Sequence, residues 1–284
     1  MAILDSSAKI GDRAPKILVF DSGLGGLTVY AEILRARPDA DFIYAADDAA
    51  FPYGRLGEAA LLARVAAVMK DLVAAYQPVV AVIACNTAST LVLPELRATF
   101  PALPFVGTVP AVKPAATRSQ SRLISVLATP GTVARDYTRD LIRQYAAHCD
   151  VTLVGSLDLA ALAEAHMQGE AIADEDVWRE IAPCFVRSDE RRTDHVVLAC
   201  THYPLLGEAF ERLAPWPVEW VDPAPAIAQR TCHVLAEQGC APSTASRSGS
   251  GVAIFSSDRP PTPALAEALR QRRLVPRLWP SVQN

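Results

Sequence analysis

The chain alternates between short, wholly apolar runs and longer stretches in which apolar residues recur every three or four positions. Ile17 to Phe20 is the first such run, followed by a Gly-rich loop and a helix-like stretch to about Arg37. Asp41 to Ala46 is the next strand candidate. From Glu58 to Tyr76, the residues Leu61, Val65, Val68, Leu72 and Tyr76 share one face at helical spacing, which predicts an amphipathic helix. Gln77-Pro78 closes it, because proline disfavours helical backbone in the residue before it. Val79 to Ala84 is apolar and β-branched and reads as a buried parallel strand. Ser89 to Thr99 is helical in composition, with Pro94 marking a break or a fresh start. Strands and helices alternating in this way imply βαβ units and a mostly parallel sheet.

The second half echoes the first. Arg122 to Thr132 (RLISVLATPGT) follows the plan of Lys16 to Thr28 (KILVFDSGLGGLT): a basic residue, an apolar strand, then a small-residue loop with Gly and Thr. The expected fold is therefore α/β, with two pseudo-symmetric domains, each a mostly parallel sheet flanked by helices, and the active site between them. Two Pro-rich stretches, Val106 to Pro114 and Trp216 to Pro225, are the crossings, so residues 1–108 plus 222–284 form the first domain and 109–221 the second. Val252 to Phe255 is a further strand, and a helix starts at about Pro263; both return to the first domain. Ala241 to Gly251 is Ser/Gly-rich and reads as a flexible surface loop.

Two cysteines occupy matching places in the two halves. Cys85 closes the run from Val79 and precedes Asn86-Thr87; Cys200 closes His195 to Ala199 and precedes Thr201-His202. Ligands of open α/β sheets bind beyond the carboxyl ends of strands, so both thiols fall where chemistry is expected. Paired acid/base groups suit a reaction that takes a proton from one face of a carbon and returns one to the other. Cys149, Cys184, Cys232 and Cys240 lack this setting and read as inert small hydrophobes.

Other residues at strand ends extend the picture. Asp21-Ser22-Gly23-Leu24-Gly25-Gly26 follows the first strand, and its glycines let backbone N–H groups approach a carboxylate or phosphate. A dinucleotide fingerprint would need glycine where Thr28 stands. Phe51-Pro52-Tyr53-Gly54-Arg55 is either a bare turn or a pocket wall formed by Tyr53 and Gly54. Asn86, Thr87 and Thr201 offer short donors and acceptors beside the thiols, which suits an amino-acid ligand. His202, two residues from Cys200, can tune that thiol, whereas His148, His166, His195 and His233 read as surface or core residues. A metal held by Cys85, Cys200 and His202 lacks an evident fourth ligand, and a Cys–His hydrolase pair leaves the second cysteine unexplained.

Composition narrows the classes. Of 284 residues, 51% are hydrophobic and 20% charged, which is globular rather than disordered, and the length suits two domains. A net charge of −4 without a basic block disfavours nucleic acid or anionic membrane as the main partner. No apolar run approaches the roughly 20 residues of a membrane span, and Met1 to Arg13 lacks a signal-peptide core, so a cytoplasmic location is expected. Six cysteines without regular spacing and without Cys-x-x-Cys do not form a disulfide framework or a structural zinc site.

These pieces together resemble the cofactor-independent glutamate racemases of the aspartate/glutamate racemase superfamily. The matching segments are DSGLGG at 21–26, PYG at 52–54, ACNTAS at 84–89, LATPGT at 127–132 and ACTHYPLL at 199–206. The resemblance implies conversion of L-glutamate to D-glutamate for peptidoglycan, hence for cell-wall biogenesis and cell shape, with no cofactor and no metal. It implies that Cys85 deprotonates the D-isomer and Cys200 the L-isomer, with Asp21 assisting Cys85 and His202 assisting Cys200. Ser22, Tyr53, Gly54, Asn86, Thr87 and Thr201 would hold substrate, with Thr129 and Thr132 nearby. Family members carry a Cys-Pro segment ahead of an assisting Glu; here the region reads Val154-Gly155-Ser156-Leu157-Asp158 before Glu164, so Glu164 takes that place without the Cys-Pro. The partner is the small molecule glutamate, and a homodimer is compatible with the sequence. An aspartate racemase of the same superfamily is the alternative substrate reading, and a non-catalytic amino-acid-binding protein the alternative of another class.

Overall fold

The computed structural model describes residues 14–242 and 248–280. Met1 to Arg13, where no signal-peptide core was expected, lies outside the described residues. The first unit runs β1 (Lys16–Asp21), α1 (Leu27–Ala36), β2 (Asp41–Ala46), α2 (Glu58–Tyr76), β3 (Val80–Ile83), α3 (Asn86–Thr99) and β4 (Phe105–Gly107). The chain then builds α4 (Val112–Arg118), β5 (Leu123–Ala128), α5 (Pro130–Val133), α6 (Asp136–Tyr145), β6 (Asp150–Gly155), α7 (Leu159–Met167) and α8 (Asp174–Ile181). A small hairpin, β7 (Arg187–Ser188) with β8 (Arg191–Arg192), leads to β9 (His195–Ala199), α9 (Gly207–Leu213) and β10 (Glu219–Val221). Finally come α10 (Ala224–Glu237), β11 (Gly251–Phe255), α11 (Pro263–Gln271) and β12 (Val275–Leu278).

Two sheets result. One has the order β12-β11-β2-β1-β3-β4 and the other β10-β9-β5-β6. Every ladder in both is parallel. Read from the matching end, β2-β1-β3-β4 and β6-β5-β9-β10 have the same connectivity, so the sequence echo is also a topological repeat. Cys85 follows β3 and Cys200 follows β9, each beside the central strand of its sheet. Parallel pairing puts all carboxyl ends of a sheet on one rim, and both thiols therefore stand on the rims where loops gather.

Side-chain alternation explains why each sheet is covered on both faces. Along β1, Ile17 and Val19 enter one apolar cluster with Tyr30, Ile33, Ile227 and Leu235, while Leu18 and Phe20 enter another with Leu61, Val65, Leu72 and Val92. The second sheet repeats this: Leu127, Val196 and Leu198 pack with Tyr203 and Phe210, and Ile124, Val126, Val197 and Ala199 pack on the opposite face.

Several elements differ from the sequence expectation. The third helix starts at Asn86 rather than Ser89 and runs through Pro94 without a break. Its buried face of Ala88, Val92, Leu93 and Leu96 offsets the ~3 kcal/mol cost of an internal proline. Gln77 does end α2, in the left-handed region at φ 49°. Of the expected loop 241–251, residues 243–247 lie outside the described residues, and its far end is pinned. The Gly249 amide donates to the Pro38 carbonyl at 2.9 Å, the Ser250 amide and hydroxyl to Asp41 at 2.8 Å, and Gly251 already belongs to β11. A Cβ at position 249 would collide with the Ala40 carbonyl, so glycine is required by close approach. Among the four cysteines read as inert, Cys184 is buried, whereas Cys149, Cys232 and Cys240 are only partly so. His195 is buried, with Asp194 at 2.8 Å and Glu219 at 2.9 Å.

Candidate active site

The two rims meet at a small cavity of about 20 Å³. Cys85 lines it from the first unit and Cys200 from the second, together with Ser22, Tyr53, Gly54, Asn86, Thr87, Thr129, Thr201 and His202. Phe51, Pro52 and Ala160 complete the wall. Of the larger cavities, one of about 730 Å³ has no thiol, one of about 380 Å³ adjoins the site at Phe51 and Glu164 without a thiol, and one of about 370 Å³ has only Cys232. Volume alone would have pointed to the wrong place; the chemistry marks the small one.

Cys85 is the cap residue of α3, held where β3 ends by the Ala84 amide bonding the Phe20 carbonyl at 2.7 Å. Its sulfur is 3.7 Å from the Ser22 hydroxyl. Burial pushes this thiol well above the ordinary range, and the Asp21 charge adds to the push, while the Ala88 amide and Ser22 hydroxyl oppose it. Asp21 ends β1 and is fully buried. One oxygen accepts from the Gly26 amide at 2.7 Å, and the other has no partner. Burial raises its carboxyl to about 6, against the pull of His202 and the Gly26 and Ser22 amides.

The Cys200 side is built differently. Its sulfur lies 3.8 Å from His202 Nδ1, and Nε2 of the same ring lies 2.7 Å from Glu164 on α7. Burial disfavours the imidazolium, but the hydrogen bonds to Cys200 and Glu164 and their charges outweigh it and hold His202 well above its ordinary value. Phe51 covers the ring at a centroid distance of 5.2 Å.

The glycine-rich loop cradles a carboxylate that belongs to the protein itself. Its amides meet the protein's own side chains: Leu24 N–H donates to Glu164 at 2.5 Å, Gly25 N–H points at His202 Nε2 at 3.2 Å, and Gly26 N–H bonds Asp21. A Cβ at Gly23 would strike the Glu164 carboxylate, and one at Gly25 the His202 ring. The carboxylate in this cradle is thus Glu164, delivered from the second unit.

The remaining predicted residues are also brought together. The Tyr53 hydroxyl donates to Asp47 at 2.5 Å, and Arg64 clamps the same carboxylate at 2.5 and 2.9 Å, so Tyr53 offers the cavity its ring rather than its proton. A Cβ at Gly54 would press Thr129 at 3.2 Å. Thr87, Thr129 and Thr132 share their hydroxyls across the cleft at 3.0, 3.1 and 3.3 Å. Asn86 has both amide atoms buried without a partner. The Thr201 carbonyl accepts from the Thr28 hydroxyl at 3.2 Å. Sequence reasoning missed the Asp47–Arg64 clamp and Ala160; Arg64 carries no local signal, since it sits mid-helix among apolar residues.

Fold and site define a class: a two-unit α/β protein with paired thiols at equivalent strand ends, facing one small cleft. The chain belongs to the Asp/Glu/Hydantoin racemase family, whose model matches residues 18–231. It is 58% identical to the glutamate racemase of Brucella anthropi over 82% of this chain and 84% of that one. The glutamate racemase of Sinorhizobium fredii is 56% identical over 86% of this chain and 90% of its own length. The crystal structure of Escherichia coli glutamate racemase, in complex with L-glutamate and the activator UDP-MurNAc-ala, superposes with a TM-score of 0.84 at 40% identity, covering 93% of this chain and 97% of that one.

Proposed function

We propose that this chain interconverts L- and D-glutamate by two-thiol proton transfer without a cofactor, supplying D-glutamate for peptidoglycan. The observation that carries the reading is the pair of thiols on one cavity, approached from equivalent strand ends. On this reading the Cys200 thiolate removes the α-proton of L-glutamate, and the C–H electron pair moves into the carboxylate. The Cys85 thiol then gives its proton to the opposite face, leaving D-glutamate, a Cys200 thiol and a Cys85 thiolate. The reverse reaction exchanges the two roles.

The hard step is ionising a carbon beside a carboxylate. Positioned hydrogen bonds and exclusion of water must stabilise the charge that develops. Asp21 serves Cys85, and His202, held by Glu164, serves Cys200. The unpartnered Asn86 amide on the cavity wall is a natural site for a carboxylate, with Ser22, Gly54, Thr87, Thr129 and Thr201 beside it and the Tyr53 ring as a wall, while the unpartnered Asp21 oxygen and Thr132 stand just behind that wall. A cavity of about 20 Å³ has room for a water-sized body and not an amino acid, so the two halves part to admit substrate.

The domain division we propose is 1–108 plus 222–284 against 109–221. It is supported by the strands of the six-stranded sheet falling within 16–107 and 251–278, and those of the four-stranded sheet within 123–221. Among the described residues no helix is long and apolar enough to cross a membrane. We propose a cytoplasmic protein acting on a small molecule, and a homodimer, which sedimentation would show at twice the 30.4 kDa chain mass.

Incubation with L-glutamate and, separately, L-aspartate in D₂O tests the reading. Loss of optical rotation with deuterium at Cα is expected for glutamate. The same result for aspartate alone would reassign the substrate, and binding without exchange would make the protein a non-catalytic binder.

A further inference from the structure

Helix α7 carries Glu164 to His202, yet its own start is not held by its cap residue. Asp158, at the cap position, makes no side-chain capping bond; its carboxylate is 62% exposed and lies 3.7 Å from Arg55 across the cleft. The amides just ahead of the helix, and the hydroxyl that caps its first residue, are taken instead by a carboxylate from another helix. Glu180 Oε2 accepts the Ser156 hydroxyl at 2.5 Å, the Leu157 amide at 3.0 Å and the Asp158 amide at 3.4 Å. Ser156 Oγ in turn accepts the Leu159 amide at 3.1 Å. An acceptor with negative charge suits the amide end of a helix on both counts.

Glu180 is itself well anchored. It sits in the last turn of α8, whose Val177 and Ile181 are buried in the apolar core of the second sheet. Leu159 and Ala163 of α7 enter the same core. The segment is thus located by packing along its length and by Glu180 at its start. Ala160 forms part of the cavity wall, and Glu164, one turn further on, receives the Leu24 amide and reaches the imidazole.

We propose that Glu180 is a positioning residue for the Cys200 half of the site: with Ser156 it fixes the first turn of α7 so that Glu164 meets His202. The inference rests on the roles given above to Glu164, His202 and Cys200. The groups facing His202 are Glu164 from α7, Cys200 from its own loop, and Asp21 from the end of β1, with the Gly25 amide and the Phe51 ring against it. Those facing Glu180 are Ser156 and the buried Tyr203 phenol. Of these, Glu164 is the one that Glu180 can move.

The test compares Glu180→Gln, Glu164→Gln and the double variant in the full chain. Glu180→Gln should lower kcat about 10-fold with KM within about twofold, since misplaced groups cost rate more than binding. The His202 ring resonance, followed by NMR with His202→Asn for assignment, should titrate at lower pH than in the wild type, because a displaced Glu164 no longer supports the imidazolium. The double variant should be no slower than Glu164→Gln alone. Wild-type kcat and an unmoved His202 titration in Glu180→Gln would overturn the proposal, as would multiplicative losses in the double variant. Should Glu180→Gln not fold, Ser156→Ala reads the same titration, and an unmoved value there overturns it too. If Glu164→Gln racemises at the wild-type rate, the failure lies in the role given to Glu164 and not in the anchor.

Discussion

The two thiols share a backbone setting and differ in charge setting. Ala84-Cys85-Asn86-Thr87 and Ala199-Cys200-Thr201-His202 follow equivalent parallel strands, so the fold delivers both sulfurs to one cavity. Two positions after the cysteine, one half carries Thr87 and the other His202. Thr87 joins a neutral hydroxyl cluster, and Cys85 beside it is a dry thiol near a carboxyl raised to about 6. His202 brings a supported imidazolium to 3.8 Å from the Cys200 sulfur. The Cys85 thiol is pushed up by burial and the nearby carboxyl, whereas the Cys200 sulfur has a cationic ring beside it. Asymmetry thus enters a duplicated scaffold through His202 with Glu164 on one side and Asp21 on the other.

Removing either sulfur tests the comparison hardest. Cys85→Ala and Cys200→Ala should each slow racemisation by about 10³-fold or more while near-UV circular dichroism stays native. In D₂O, Cys200→Ala should wash deuterium only into D-glutamate, and Cys85→Ala only into L-glutamate. Wild-type turnover in either variant would end the two-base scheme.

Asp21→Asn separates stability from activity. The folded carboxyl is raised to about 6 from an ordinary 3.8, so the stability linked to its proton is complete below about pH 4 and is lost as pH rises through about 6. At about pH 7.5 the variant should therefore be more stable by about 3 kcal/mol, with the gain gone near pH 4, and less active. Urea melts at the two pH values read this directly; a gap that does not close in acid would place the cost elsewhere.

His202→Asn should lower kcat from L-glutamate about 100-fold, more than kcat from D-glutamate. Mirror-image glutamates are equal in free energy, so kcat/KM must fall equally in both directions. The asymmetry can appear only in kcat and KM taken separately, and full progress curves from each enantiomer would reveal it. Equal kcat losses would mean that the histidine serves both thiols. Ser22→Ala removes a weak contact to Cys85 and should cost about threefold in kcat, with no change in the His202 titration.

Periodicity and punctuation made much of the fold legible before any coordinates. Glu58–Tyr76 and Asp41–Ala46 carry their pattern to both ends, and Pro78 marks a true stop. Asn86 to Ala88 looked like loop because polar and small residues open α3, where they face the cleft and its surroundings rather than solvent. β12 was invisible for the opposite reason: Val-Pro-Arg-Leu is an exposed edge, Leu278 being 90% accessible, and no buried alternation betrays it. At the site, strand ends pointed to the residues that bear reactive or polar atoms. Their partners were not readable, since Leu24 with Glu164, Gly25 with His202, and Thr87 with Thr129 join residues far apart in the chain.

The loop amide of Leu24 reaches from one half of the protein to Glu164 on the other, and the Gly25 amide lies against the His202 ring. On the opening proposed above, the movement that admits glutamate would also take Glu164 off the Leu24 amide, so the Cys200 side would be braced only while the cleft is shut.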